Sequence, residues 1–281
     1  MSWILFSFIS IFSSAIANLF QRITMKKDSS DPIVSSIIFQ FTLAVLSGVF
    51  AFIKGFNMPP TELLFPNFLF SGICYGFGTI TFFKAMKTIG ASEKTILTGF
   101  GSLIVILTSF IFLKETLTPK QLLGVLVIIL AILVVELKKE KISFSKGAKL
   151  ALLGTTLYGF AVVNDSFILR SYDAISFMPV MSLIPGLILA ASYPKSTLKL
   201  FNTLKRTDKN LWIYGFFYSI QGVAYYSAIE TGGLVSQINT LFKTEIILTV
   251  LLATIFLKER RNLLRKSIGA ALASIGVLLI K

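Results

Sequence analysis

Ile111-Phe112-Leu113-Lys114-Glu115 and Ile255-Phe256-Leu257-Lys258-Glu259 are the same five residues written 144 positions apart. Each copy closes a long apolar run. Upstream of each run an aromatic pair precedes an alanine, Phe82-Phe83-Lys84-Ala85 in the first half and Tyr225-Tyr226-Ser227-Ala228 in the second. Downstream of each copy a short polar turn leads to a segment with small residues, Gly124 and Ala131 in one, Gly269 and Gly276 in the other. Five shared residues prove little in an apolar chain. Flanks that match in the same order indicate one unit used twice.

The composition places that unit in a membrane. Of 281 residues 54% are hydrophobic and 14% charged, with a mean hydropathy of +0.81, whereas soluble domains carry about a quarter charged residues. There is no histidine, which removes the usual general base and the commonest metal ligand. The single cysteine, Cys74, lies inside an apolar run and rules out a disulfide framework within one chain. A net charge of +14 invites a nucleic-acid reading. The basic residues are instead split among short turns between apolar segments, a pattern that orients a chain in a bilayer. No nucleic-acid partner, catalytic set, metal site or cofactor is predicted.

A spanning helix needs about 20 mostly apolar residues, and the sequence divides into ten such segments. The predicted spans are 3–20, 33–53, 68–83, 95–113, 121–137, 150–169, 175–193, 211–229, 234–257 and 263–280. The first lacks a basic leader and a cleavage site, so it is expected to be retained. Asp31-Pro32 predicts the N-cap and first residue of span two, because proline's missing N–H costs nothing there. Gly72 and Gly76 give span three a small face for close helix contact. Thr118-Pro119-Lys120-Gln121 reads as a capping box opening span five. Pro179, Pro185 and Gly186 predict a kinked or broken span seven. The lysine-rich stretch 138–146 separates a first repeat, 1–140, from a second, 147–281.

Lysine and arginine fall 21 to 5 on the odd-numbered connections, with Lys243 inside a span. By the positive-inside rule the odd connections face the cytoplasm and both termini face outward. Because five is odd, two five-span repeats lie upside down relative to each other. The expected architecture is an all-α integral membrane protein of ten helices in two inverted repeats. Such pairs can rock about a midplane site, which is the physical basis of alternating access.

Charge inside hydrocarbon costs roughly 2.5–3.5 kcal/mol at a helix centre and calls for a function. Lys243 and Glu245 lie well inside span nine, about 200° apart around the helix, so they cannot pair directly on one face. Asn239 shares the side of Lys243, and Gln237 is offset by about 120°. One reading puts Lys243, Asn239 and Gln237 in a central cavity binding an anionic substrate group. The alternative pairs Lys243 with Asp165 of span six as a structural tie. Glu245 and Asp165 are candidates for coupling, since a desolvated carboxyl can take up and release a proton. Gln221 and Tyr225 of span eight, with Tyr226, and Asn164 of span six are further lining candidates. Asn18 and Gln21 read as weaker ones near a helix end, Lys84 and Lys87 as snorkelling to the surface. Glu115 and Glu259 read as acids at the N-termini of spans five and ten, beside Lys114, Arg260 and Arg261.

The doubled aromatic-alanine and closing-glutamate pattern, over ten spans, resembles the EamA-type members of the drug/metabolite transporter superfamily. The resemblance covers nearly the whole chain. It implies export or exchange of small metabolites, such as amino acids, through a central cavity, usually coupled to an ion gradient or a counter-substrate. Family members often carry proline about fourteen residues before the closing glutamate, where this chain has Gly101 and Glu245. Many also place basic residues after span two, where only Lys54 stands here, so the charge bias of this chain sets the expected orientation. The expected protein is a secondary transporter of small polar solutes in a bacterial plasma membrane. A flippase for amphipathic substrates is the nearest alternative and a channel a weaker one. The small residues of spans five and ten serve either a homodimer contact or the closure of each half.

Overall fold

A computed structural model describes residues 3–27, 29–101, 103–104, 107–108, 118–138, 141–142, 144–200, 208–232, 238, 241–242, 244–260 and 262–280. Ten helices of seven or more residues stand among them. They are α1 (Trp3–Lys26), α2 (Pro32–Lys54), α3 (Thr61–Met86), α4 (Ala91–Thr98), α5 (Pro119–Glu136), α6 (Lys146–Ile168), α7 (Ala174–Ser192), α8 (Lys209–Glu230), α9 (Glu245–Phe256) and α10 (Leu263–Ile280). A single helical turn, Pro194–Leu198, follows α7. Two-residue strands, Leu137–Lys138 and Lys141–Ile142, pair antiparallel in the stretch between the halves, where the sequence predicted only a polar linker.

Helix ends follow local chemistry. The Asp31 carboxylate accepts from the N–H groups of Ile33 (2.8 Å) and Val34 (3.3 Å), with Pro32 at the first position. Gly55, at φ +100°, ends α2 in the left-handed conformation that a side chain would oppose. Asp173 repeats the Asp31 cap in the second half, accepting from Ser176 N at 2.8 Å to start α7. Helix α7 is continuous through Pro179 and Pro185, so the predicted break is absent. Its neighbours α2 and α3 hold it on both sides: Gly48 lies under Pro179, and Gly76 under Leu189 and the Pro185 carbonyl.

The helices pair as α1·α8, α3·α6, α2·α7, α4·α9 and α5·α10. Exchanging the halves turns α1·α8 into α6·α3 and leaves the other three pairs unchanged, the signature of a pseudo-twofold axis. The self-paired helices run antiparallel, as inverted copies must. In α2·α7, Ile37 meets Leu189 while Gly48 meets Pro179. In α5·α10, Gly276 sits on the Gly124 carbonyl while Gly269 sits on Ala131 and Val135. The small residues of spans five and ten are thus spent within the chain.

In lipid the gain from apolar contact is small, and close van der Waals fit decides association. Phe39 anchors the centre, stacked on Tyr214 at 4.5 Å and edge-on to Tyr218 at 5.1 Å. The outward faces are apolar: Phe52 is 71% exposed, and Val49, Leu126, Leu251 and Ile275 are exposed too. Such a surface belongs against acyl chains.

The connections sort by face. Lys27 of the first meets Asp208 of the seventh at 3.0 Å. Thr88 of the third packs on Gly147 in the first turn of α6, next to the fifth, and Arg22, near the end of α1, reaches Glu259 of the ninth. On the opposite face Asn57 of the second connection donates to Asp173 of the sixth at 3.0 Å, and the Tyr172 hydroxyl donates to the Asn57 carbonyl at 2.9 Å.

Candidate functional site

Two carboxylates lie buried where the repeats meet. Glu245 opens α9, and its Oε1 accepts from Asn18 Nδ2 of α1 at 2.6 Å and from Thr249 Oγ1 at 3.1 Å. Asn18 presents its other end to Lys94, whose ammonium donates to Asn18 Oδ1 at 2.7 Å and sits 4.8 Å from the centre of the Phe82 ring. An amide has one donor end and one acceptor end. Asn18 therefore joins an ammonium to a carboxylate without exchanging roles.

Asp165, on α6, is held by α3. Ser71 Oγ donates to Oδ1 at 2.6 Å and the Tyr75 hydroxyl donates to Oδ2. Asn164 beside it donates to the Asn67 carbonyl (2.8 Å) and to Ser71 Oγ (2.9 Å), and accepts from Asn67 Nδ2 (2.6 Å). Gly78 and Gly154 make this approach possible, since a Cβ on Gly154 would stand 2.4 Å from Thr81 Oγ1 and 3.1 Å from the Gly78 carbonyl. Arg170 stacks on Phe167, 5.1 Å from its ring centre.

A run of aromatic rings links the two acids. Tyr75 meets Tyr158 edge-on at 4.8 Å, Tyr158 meets Phe82 at 5.0 Å, and Phe82 underlies Lys94. The Tyr158 hydroxyl lies 2.9 Å from Thr79 Oγ1, which also accepts from Gln40 Nε2 at 2.9 Å. The order Asp165, Tyr75, Tyr158, Phe82, Lys94, Asn18, Glu245 starts and ends in the second repeat and runs through α3, α4 and α1 of the first. Its members supply hydrogen-bonding groups at both ends and flat ring faces between them.

Several expectations change here. The predicted span 95–113 leaves Lys94 in the connection before it. Lys94 lies within α4, which begins at Ala91 rather than Thr95, and points its ammonium inward. Asn18, expected to matter less, bridges the buried pair. Glu259 does not cap the helix that follows it. Its carboxylate takes the N–H groups of Ala91 and Ser92 at the start of α4, with Lys266 and Arg22 beside it. Asp165 and Glu245 occupy separate clusters. Tyr225 packs on Tyr226 and Phe242, and the Gln221 backbone carbonyl accepts from Ser10 Oγ at 2.9 Å. Lys243, Asn239, Gln237 and Glu115 lie outside the described residues. Tyr75, Tyr158, Ser71 and Lys94 escaped the sequence reading. Only Tyr75 left a signal, recurring as Tyr218 at the 143-residue offset of the aromatic-alanine pairs.

Ten helices in two pseudo-symmetric halves, with a polar interior and apolar outside, define a multi-pass membrane transporter. The EamA-like transporter family matches twice, over residues 1–137 and 145–281. The chain belongs to that family, within the drug/metabolite transporter superfamily, and the family is non-enzymatic. Similar curated proteins include the "Probable glucose uptake protein GlcU" of Staphylococcus epidermidis, 30% identical over 62% of this chain and 65% of that protein. The match thus spans just under two thirds of that relative. The protein of the same name from Staphylococcus aureus strain Mu50 is 29% identical over 70% of this chain and 74% of its own length. A solved crystal structure superposes with a TM-score of 0.65 over 98% of this chain and 94% of the other, at 14% identity, which speaks to the fold alone.

Proposed function

We propose that the protein is a secondary transporter that carries a small, hydroxylated polar solute, of the monosaccharide class, across a bacterial plasma membrane by alternating access. The observation that carries this reading is the track between Asp165 and Glu245. Sugars present hydroxyls that pair with carboxylates and amides, and C–H faces that lie on aromatic rings. Asp165, Tyr75, Tyr158, Phe82, Asn18 and Glu245 offer both kinds of surface. The names of the staphylococcal relatives point to the same class of solute. Repeats 1–140 and 147–281 are the moving bodies, with the odd connections cytoplasmic and both termini outside.

Within this reading Asp165 and Glu245 are the coupling groups for a proton or counter-substrate. Asn164, Gln221 and Tyr225 line the path, and Gln237, Asn239 and Lys243 contact the solute. Uptake into proteoliposomes with a panel of sugars, amino acids and organic anions, with and without a proton gradient, tests it. Saturable sugar uptake that Lys243→Ala or Glu245→Gln abolishes is the expected result. Uptake of amino acids or anions alone would reassign the solute.

A flippase for amphipathic substrates is the second reading. An apolar groove of about 460 Å³ between α1, α2 and α8, lined by Phe6, Ile9, Phe50 and Phe216 and reaching Lys54, speaks for it. Scrambling of a fluorescent lipid by the same proteoliposomes separates the two.

A further inference from the structure

We infer that Glu259 is a gating residue: its carboxylate latches the start of α4 and closes the membrane face formed by the odd-numbered connections. It rests on the alternating-access reading for its purpose.

The repeated glutamate is not used in the polar track, yet its second copy is densely bound. Glu259 Oε1 accepts from Ala91 N at 2.9 Å, and Oε2 from Ser92 N at 3.3 Å and Ser92 Oγ at 2.8 Å. Lys266 Nζ of α10 stands 3.5 Å from Oε2, and Arg22 Nε of α1 stands 4.0 Å from Oε1. Arg22 also donates to the Met86 carbonyl at the end of α3. One side chain of the second repeat thereby gathers α1, α3, α4 and α10 at a single face. Two N–H donors at a helix start, a hydroxyl and two cations suit a carboxylate and nothing larger.

Every bond from Glu259 to α4 crosses from the second repeat to the first. A rocking motion that separates the repeats at this face must break all of them together. The grip is also adjustable, since it depends on Gly90. A Cβ there would stand 2.3 Å from Glu259 Oε2, while Gly90 itself has an ordinary extended backbone, φ −77° and ψ 165°. Alanine fits the backbone and evicts only the carboxylate.

The two cations beside Glu259 are not repeated by sequence position in the other half. At the offsets of 143 to 145 residues that align the halves, Asp165, Ser166 or Phe167 stands for Arg22, and Gln121, Leu122 or Leu123 for Lys266. The latch at Glu259 is made in this structure, so the resting protein is closed at that face.

The test reads accessibility rather than transport, so it is separable from the identity of the solute. In a Cys74→Ala background, Thr95→Cys places a thiol on the same side of α4 as Ser92, one turn further in, where Thr95 is fully buried. An impermeant maleimide is added to membrane vesicles of either orientation. Labelling from the odd-connection face should be slow, and Glu259→Gln and Gly90→Ala should each speed it by roughly tenfold, the population shift expected when charge-assisted bonds are lost. The opposite face should show no gain. Gly90→Ala retains every charge, and monodisperse elution on size exclusion confirms the fold of each variant. Unchanged labelling in either folded variant, or an equal gain from both faces, overturns the latch.

Discussion

Asn18 Nδ2 donates to Glu245 Oε1 at 2.6 Å across 227 residues of chain, tying the first helix of one repeat to the ninth helix of the protein. The same amide takes the Lys94 ammonium on its other end. A buried charge left without its partner costs about 1–3 kcal/mol or more. Asn18→Ala removes a hydrogen bond from each of two buried charges at once. The expected outcome is a folded protein with a lower melting temperature and transport reduced at least roughly tenfold, with Asn18→Gln recovering part of both. Melting curves and uptake rates on the same preparation check it.

Gly276 lies against the Gly124 carbonyl and the Ile128 backbone nitrogen, which an added Cβ would approach to 2.9 and 3.0 Å. Backbone cannot step aside as a side chain does. Gly276→Ala should destabilise the α5·α10 pair by about 1–3 kcal/mol, while Gly55→Ala, in open space but at φ +100°, should cost about 1 kcal/mol through strain alone. Equal melting temperatures for Gly276→Ala and the parent would show that this contact is loose.

Outside the membrane, Asp208 meets Lys27 at 3.0 Å. Burial pushes the Asp208 carboxyl up, but hydrogen bonds from the Asn210 side chain, Lys27 and the Asn210 backbone outweigh it and hold the carboxyl below its usual range. A depressed folded pKa stabilises fully above the unfolded value of about 3.9, and that stabilisation is lost as pH falls through the folded value. Melting temperature should therefore drop as pH is lowered past about 4, and Asp208→Asn should remove part of the drop. An identical profile in both proteins would mean the clasp contributes nothing.

The orientation rests on charge bias and has a direct check. A cysteine replacing Lys205, in a Cys74→Ala background, should resist an impermeant thiol reagent added to intact cells and react once the cells are opened. Ready labelling of intact cells would reverse the assignment of faces.

The helix plan was legible in the sequence because bilayer spanning is written in long apolar runs and their punctuation. Asp31-Pro32 started α2 where it was expected, and Gly72 and Gly76 received α7 as small residues should. The inverted repeat followed from counting spans. The site was only half legible. Glu245 and Asp165 stood out because charge in hydrocarbon is costly, but their partners did not: Ser71, Tyr75 and Asn18 are ordinary helix residues until tertiary packing aims them. Lys94 looked like a surface lysine because its helix begins four residues earlier than its apolar run. Glu259 was placed on the helix next in sequence, whereas the helix it caps lies across the pseudo-twofold axis, 168 residues away at Ala91.

The central claim is that solute moves along the track between Asp165 and Glu245. Uptake of radiolabelled monosaccharide into proteoliposomes holding parent, Asp165→Asn or Glu245→Gln protein tests it most directly. The account predicts saturable uptake by the parent and a loss of at least about tenfold in each variant, with melting curves showing all three folded. Parent-like uptake in both variants would contradict it.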